Sequence, residues 1–140
     1  MSNKPTKELR YFNLGPWPVY CGFTTCEKAF QKEMKRLKVN DINFLGSEHS
    51  NATTHILNNK GTFCFIITCQ PFNARRQSKE QYAALIAHEA VHVIQEMQQE
   101  LARGKSLGVE AEAYLVQQIV QECLQSAWQS TKVRCTEPTV

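Results

Sequence analysis

Residues 79–103 read KEQYAALIAHEAVHVIQEMQQELAR, twenty-five residues without proline or glycine. Ser78 stands before them as a helix N-cap, and Gln81 is its capping-box partner three residues on. Gly104 follows as a C′ residue suited to the left-handed backbone that ends a helix. The stretch therefore predicts one long helix from Lys79 to about Arg103. Ala87, Ala90, Val91 and Ile94 give it an apolar, buried middle. Within that middle lies HEAVH, residues 88–92.

Positions four apart on a helix stack on one face, so His88 and His92 can aim their imidazoles at one point. Neutral imidazole suits zinc, with Zn–N distances of about 2.0–2.1 Å. Glu89 is offset from that face. It can reach a water held at the metal without itself being a ligand, the arrangement that makes HExxH a metalloprotease signature. The alternative is a pair of core histidines, which would need partners because unpaired buried polar groups are costly.

A catalytic zinc site uses three protein ligands and leaves one position open. The third is expected on the next segment, LGVEAEAYLVQQIVQ (107–121), which predicts a helix from about Val109 to Trp128 after a turn at Gly104 to Gly108. Glu110 and Glu112 compete. Two residues apart, they point to nearly opposite sides of a helix. Glu110 shares a face with Ala113, Tyr114 and Gln117, and Glu112 with Val116 and Ile119. Periodicity does not choose between them.

HEAVH followed by EAEAY (110–114) resembles the gluzincin metallopeptidases. In those enzymes HExxH supplies two ligands and a glutamate on a downstream helix the third. The ExxAD pattern of the Ste24 and HtpX families and the ExEAN of ImmA/IrrE-like proteins are similar. Laid on this chain, the resemblance implies Glu110 as the third zinc ligand and Ala113 as the small residue. Tyr114 stands where the family has Asp or Asn. It is implied to orient a ligand histidine or to face the substrate as an oxyanion donor; otherwise it anchors the helix by packing. The resemblance covers about residues 60–125 and implies a zincin-like minimal core of the kind called minigluzincin. Similar short chains are expected among phage-encoded proteins.

Upstream, GPWPVYCG (15–22) suggests a short edge strand, and Thr24 or Thr25 then caps a helix that ends near Lys38. VNDINFLG (39–46) alternates apolar and polar residues as a half-buried strand does. ATTHIL (52–57), the turn signal NNKG (58–61) and TFCFIIT (62–68) make a hairpin whose second strand is apolar on both faces. In zincins the strand before the active helix pairs with an extended substrate, which points to 62–68 or the strand before it. His55 lies in that earlier strand, an ordinary strand residue or an oxyanion stabiliser. His49 is a loop residue, Tyr82 a core residue, and Gln95 a neighbour for His92. Strands then helices in sequence predict an α+β fold with a small, mainly antiparallel sheet packed on the HExxH helix and the glutamate helix.

The 140 residues fit a single domain, 1–140, with a loose N-terminal arm (about 1–13) and a C-terminal tail (about 129–140). Apolar content is 42%, charged content 21% and net charge +3. That charge is spread along the chain, which argues against nucleic-acid binding. No apolar run approaches the ~20 residues that span a bilayer, and the N-terminus has no secretory h-region. The expectation is a cytoplasmic protein without a membrane partner, its six cysteines reduced and mostly buried. The leading expectation for function is a zinc metallopeptidase acting on a protein or peptide, with Glu89 as general base. A zincin-fold metal-binding module that serves interaction or structure without turnover is the alternative. A third is an ImmA-like regulatory peptidase acting on a repressor, though no DNA-binding helix-turn-helix is visible.

Overall fold

The computed structural model describes residues 8–47, 50–59 and 62–130. The expected parts at 1–7 and 131–140 of the arm and tail, the loop residue His49 and the turn residues 60–61 lie outside them. The order is β1 (Arg10–Asn13), β2 (Val19–Thr24), α1 (Glu27–Arg36), β3 (Ala52–Asn59), β4 (Thr62–Cys69), α2 (Lys79–Ala102) and α3 (Val109–Ser130).

One four-stranded sheet runs in the order β1-β2-β4-β3. β1 pairs antiparallel with β2, β2 parallel with β4, and β3 antiparallel with β4. The α+β class holds. The sheet is mixed rather than mainly antiparallel at its centre, because the α1 crossover brings β4 back beside β2 in the same direction. β4 is internal and apolar on both faces. Phe63, Phe65, Ile67 and Cys69 join Val19, Cys21 and Phe23 in the core under α2 and α3. Ile66 packs with Phe30 and Met34 of α1 on the other face. The sheet thus lies between two helical layers, with α2 across β3 and α3 across β2.

Two expectations need correction. Residues 39–46 form no strand. Lys38 and Asp41 take positive φ values of 60° and 57°, which interrupt an extended run. Both edges of β4 are already paired, to β2 and β3. The segment still contributes its apolar residues, with Phe44 buried and Ile42 and Leu45 packed beside α1. The N-terminal arm is also ordered in part. Arg10–Asn13 is an edge strand, tied to α3 by Arg10 to Gln129 (3.0 Å) and Gln118 to the Asn13 carbonyl (2.7 Å). Gly22 makes that strand possible: a Cβ there would meet the Tyr11 ring at 2.9 Å.

The helix ends follow the sequence closely. Cys26, rather than Thr24 or Thr25, is the N-cap of α1, while the Thr24 hydroxyl accepts from the Cys26 amide at 3.0 Å. Ser78 and Gln81 form the full capping box of α2. At its other end Arg103 and Gly104 turn left-handed, with φ of 53° and 83°, and the Gly104 amide closes on the Gln98 carbonyl at 2.8 Å. The cysteines depart in one case from the reduced-thiol expectation. Cys26 is disulfide-bonded, while Cys21, Cys64, Cys69 and Cys123 are free. Among the described residues, no helix is long and apolar enough to cross a membrane.

Candidate functional site

Helix α2 buries Tyr82, Ile86, Ala90, Val93 and Met97 against the sheet. That stripe sets the direction of everything else on the helix. His88 and His92 fall on its outer side and are exposed, so they are not core histidines. Their Nε2 atoms face each other at 3.1 Å, with the rings edge to face. Two nitrogens bound tetrahedrally at about 2.0–2.1 Å lie about 3.3 Å apart, so the pair is spaced for one shared metal ion. Gln95 Oε1 lies 3.2 Å from His92 Nδ1. Gln95 can accept a proton carried on Nδ1, the tautomer that leaves the His92 Nε2 lone pair to accept from His88 or to face a ligand.

Glu89 turns the other way, toward the sheet, and is only 6% exposed. The reason is β3. Residues 52, 54 and 56 point to the helix side of this edge strand, and the Thr54 hydroxyl donates to Glu89 Oε1 at 2.6 Å. The same hydroxyl lies 3.3 Å from the Glu89 carbonyl. A buried carboxylate needs such a donor. Among the described residues, its second oxygen accepts no hydrogen bond. A cleft of about 370 Å³ opens between β3 and α2, lined by Glu89, His92 and Glu96 on one side and Ala52, Thr53, Thr54 and Ile56 on the other.

The two competing glutamates behave differently. Glu112 is engaged: its carboxylate accepts from the Ser106 hydroxyl and from the Leu107 amide (3.1 Å), closing the turn before α3. Those bonds, the Ser106 hydroxyl foremost, hold it below the usual carboxylate range. It lies beside Gln95 and Gln98 of α2, on the packing side of α3 with Leu115 and Ile119. Glu110 is exposed on the opposite side. Among the described residues, no third His, Cys, Asp or Glu joins the histidine pair in a group able to hold a metal. Tyr114 is 64% exposed, and its surroundings are Gln117, Gln118, Gln121 and Glu122. No hydrogen bond joins it to His88, Glu89 or His92.

The structure therefore brings together His88, His92 and Gln95, sets Glu89 on the cleft that His92 also lines, and leaves Glu110 and Tyr114 apart from them. Two imidazoles converge, but among the described residues they are joined by no third His, Cys, Asp or Glu, so the donor set for a metal ion is incomplete. His55 is placed on the far face of β3. It is buried, stacked on Phe30 (4.6 Å between ring centres), and its Nε2 lies 3.0 Å from both the Phe44 carbonyl and Thr68 Oγ1. It is a structural residue of that face. Tyr82 is core as expected, its hydroxyl donating to the Gln70 carbonyl at 2.8 Å.

Two cleft residues carried no signal of their own in the sequence. Thr54 is one of three consecutive alternating strand positions, and only the register of β3 against α2 selects it. Glu96 sits in what reads as a solvated helix face. Compared with known proteins, the chain matches no protein-family model, no curated protein and no solved structure.

Proposed function

We propose that this protein is a zinc-dependent peptidase of the gluzincin kind, working in the cleft between β3 and α2. The observation that carries the reading is the His88–His92 Nε2 pair at 3.1 Å, with His92 and Glu89 both lining that cleft. His88 and His92 would hold the metal; the resemblance implies Glu110 as a third ligand, and in this structure Glu110 stands apart from the pair, so α3 would have to shift to bring it in. A bound zinc ion supplies Lewis-acid polarisation of a carbonyl and brings the pKa of a water to about 7.

The chain's own groups do the rest. Thr54 donates to one oxygen of Glu89 and so orients the other toward the cleft. Glu89 takes a proton from the attacking water and returns it to the leaving amine, so the peptide C–N bond breaks with one water consumed. Gln95 keeps His92 in a single tautomer. β3 is an edge strand, and its outer backbone groups take no part in the sheet ladders, so an extended peptide can lie along it.

Metal analysis and hydrolysis of an unstructured protein substrate test the reading together. About one zinc per chain is expected, lost in His88→Ala. Glu89→Gln should keep the metal while hydrolysis falls roughly 10²–10⁴-fold, the usual worth of a general base. Glu110→Ala should lose zinc and Glu112→Ala should keep it; the reverse pattern would transfer the ligand role to Glu112. The separation of Glu110 from the histidines favours one second reading, a metal-binding module without turnover. Wild-type protein that binds zinc and cleaves nothing would establish that instead.

A further inference from the structure

The cleft has a charge that the hydrolytic chemistry does not use. Glu96 lies four residues beyond His92, on the same side of α2, and is half-buried against the cleft wall. Glu89 is engaged by Thr54, whereas Glu96 has no hydrogen-bond or ion-pair partner among the described residues. No lysine or arginine is among the cleft's lining residues. Opposite Glu96 the wall is built from small side chains, Gly46, Ser50, Ala52 and Thr53. Hydrogen bonds fix three of these: the Gly46 amide donates to Thr53 Oγ1 at 2.7 Å, and Ser50 pairs with Ser47 at 3.1 Å. The result is a cleft of about 370 Å³ lined by no lysine or arginine and by two carboxylates, of which Glu96 is the one without a hydrogen-bond partner among the described residues.

We propose that Glu96 is a specificity residue that recognises a lysine or arginine side chain of the peptide lying along β3. The inference deepens the peptidase reading and rests on it for the ligand being an extended peptide. Distances favour a position near the scissile bond. Along α2, Glu96 is about 6 Å past His92 at 1.5 Å per residue. An extended strand advances about 3.3 Å per residue. The cationic residue therefore sits within about two residues of the cleaved bond, with its aliphatic stem along the cleft wall. A carboxylate half-withdrawn from water attracts a cation more strongly than an exposed one does.

Fluorescence anisotropy with labelled neutral octapeptides tests this without requiring turnover. Three probes carry lysine, norleucine or glutamate at one central position. They are titrated into the full chain with Glu89→Gln, alone and combined with Glu96→Gln or Glu96→Lys. The lysine peptide should bind about tenfold more tightly than the norleucine peptide. Glu96→Gln should remove that difference, and Glu96→Lys should shift the preference to the glutamate peptide. Equal affinity for all three peptides, no binding of any, or a lysine preference that survives Glu96→Gln overturns the proposal. If only the peptidase reading fails, the charge preference remains while the wild-type chain hydrolyses nothing. If the wild type does hydrolyse, mass spectrometry of the products should find lysine or arginine within two residues of the cuts.

Discussion

The two faces of the sheet carry two polar clusters built from similar parts. On the α1 face, Glu33 is buried, yet Tyr11 donates to it at 2.6 Å and Arg36 clamps it at 2.7 and 2.6 Å. Burial alone would raise this carboxyl, but Arg36 and Tyr11 outweigh it and hold the pKa below its ordinary value. The same contacts push the Tyr11 hydroxyl up, burial first and Glu33 second. His55 nearby is stacked and hydrogen-bonded. On the α2 face, Glu89 is almost as buried but has a single side-chain donor, Thr54, and the two histidines face each other in solvent. A carboxylate whose oxygens are all matched holds a fold together. Glu89, held on a single side at the wall of the β3–α2 cleft, leaves one oxygen unmatched among the described residues.

The contrast can be broken on either face. The largest change in stability is expected from Glu33→Ala, which strands the half-buried Tyr11 hydroxyl and removes the partner of Arg36. A loss of about 2–3 kcal/mol is expected in urea unfolding, with metal content untouched. A neutral result would mean that the α1 cluster is not structural. Next is Thr54→Val, which keeps the strand's shape but removes the donor to Glu89. Turnover should fall about tenfold, equivalent to about 1.4 kcal/mol, at unchanged zinc content, with Thr54→Ser close to wild type. If valine and serine behaved alike, Thr54 would be a packing residue only.

The smallest effect concerns His55. Burial lowers its pKa from 6.5, against the opposing pull of the Phe44 carbonyl and the Glu89 charge. The unfolded chain therefore takes up the proton first as pH falls. Stability from this group is present above about 6.5 and is lost as pH drops through that value toward the lower folded pKa. Denaturant midpoints at pH 7.5 and 5.5 should differ less in His55→Gln than in the wild type. An equal or larger drop in the variant would remove His55 as a source of acid sensitivity.

Local chemistry was legible where it is dictated by neighbours in sequence. The capping box at Ser78 is present as read, Gly104 is left-handed as read with Arg103 joining it, and β3 and β4 pair antiparallel as read, with β3 running two residues further than expected. The mid-helix setting of HEAVH likewise follows from period and from the absence of Pro and Gly. Residues 39–46 show the limit: their alternation is that of a strand, but the positive φ at Lys38 and Asp41 breaks the extended run before it can form one. Phe44 and Ile42 found burial without one. The arm was misread for the opposite reason. RYFN is short and polar at its ends, and only the open edge of β2 gives it a partner.

The sequence by itself determined that His88 and His92 share a helix face and that Glu89 is offset from it, because helical period alone sets those directions. It left Glu110 and Glu112 unresolved, since two residues apart on an amphipathic helix both have a plausible face. Only the tertiary structure decided that Glu112 closes the turn before α3 and that Glu110 stands apart from the histidines. Thr54 and Glu96 became cleft residues for the same reason. Which side chains meet across two elements depends on the register and crossing of β3 and α2, and those are set by the packing of Ile86, Ala90 and Val93 on the sheet.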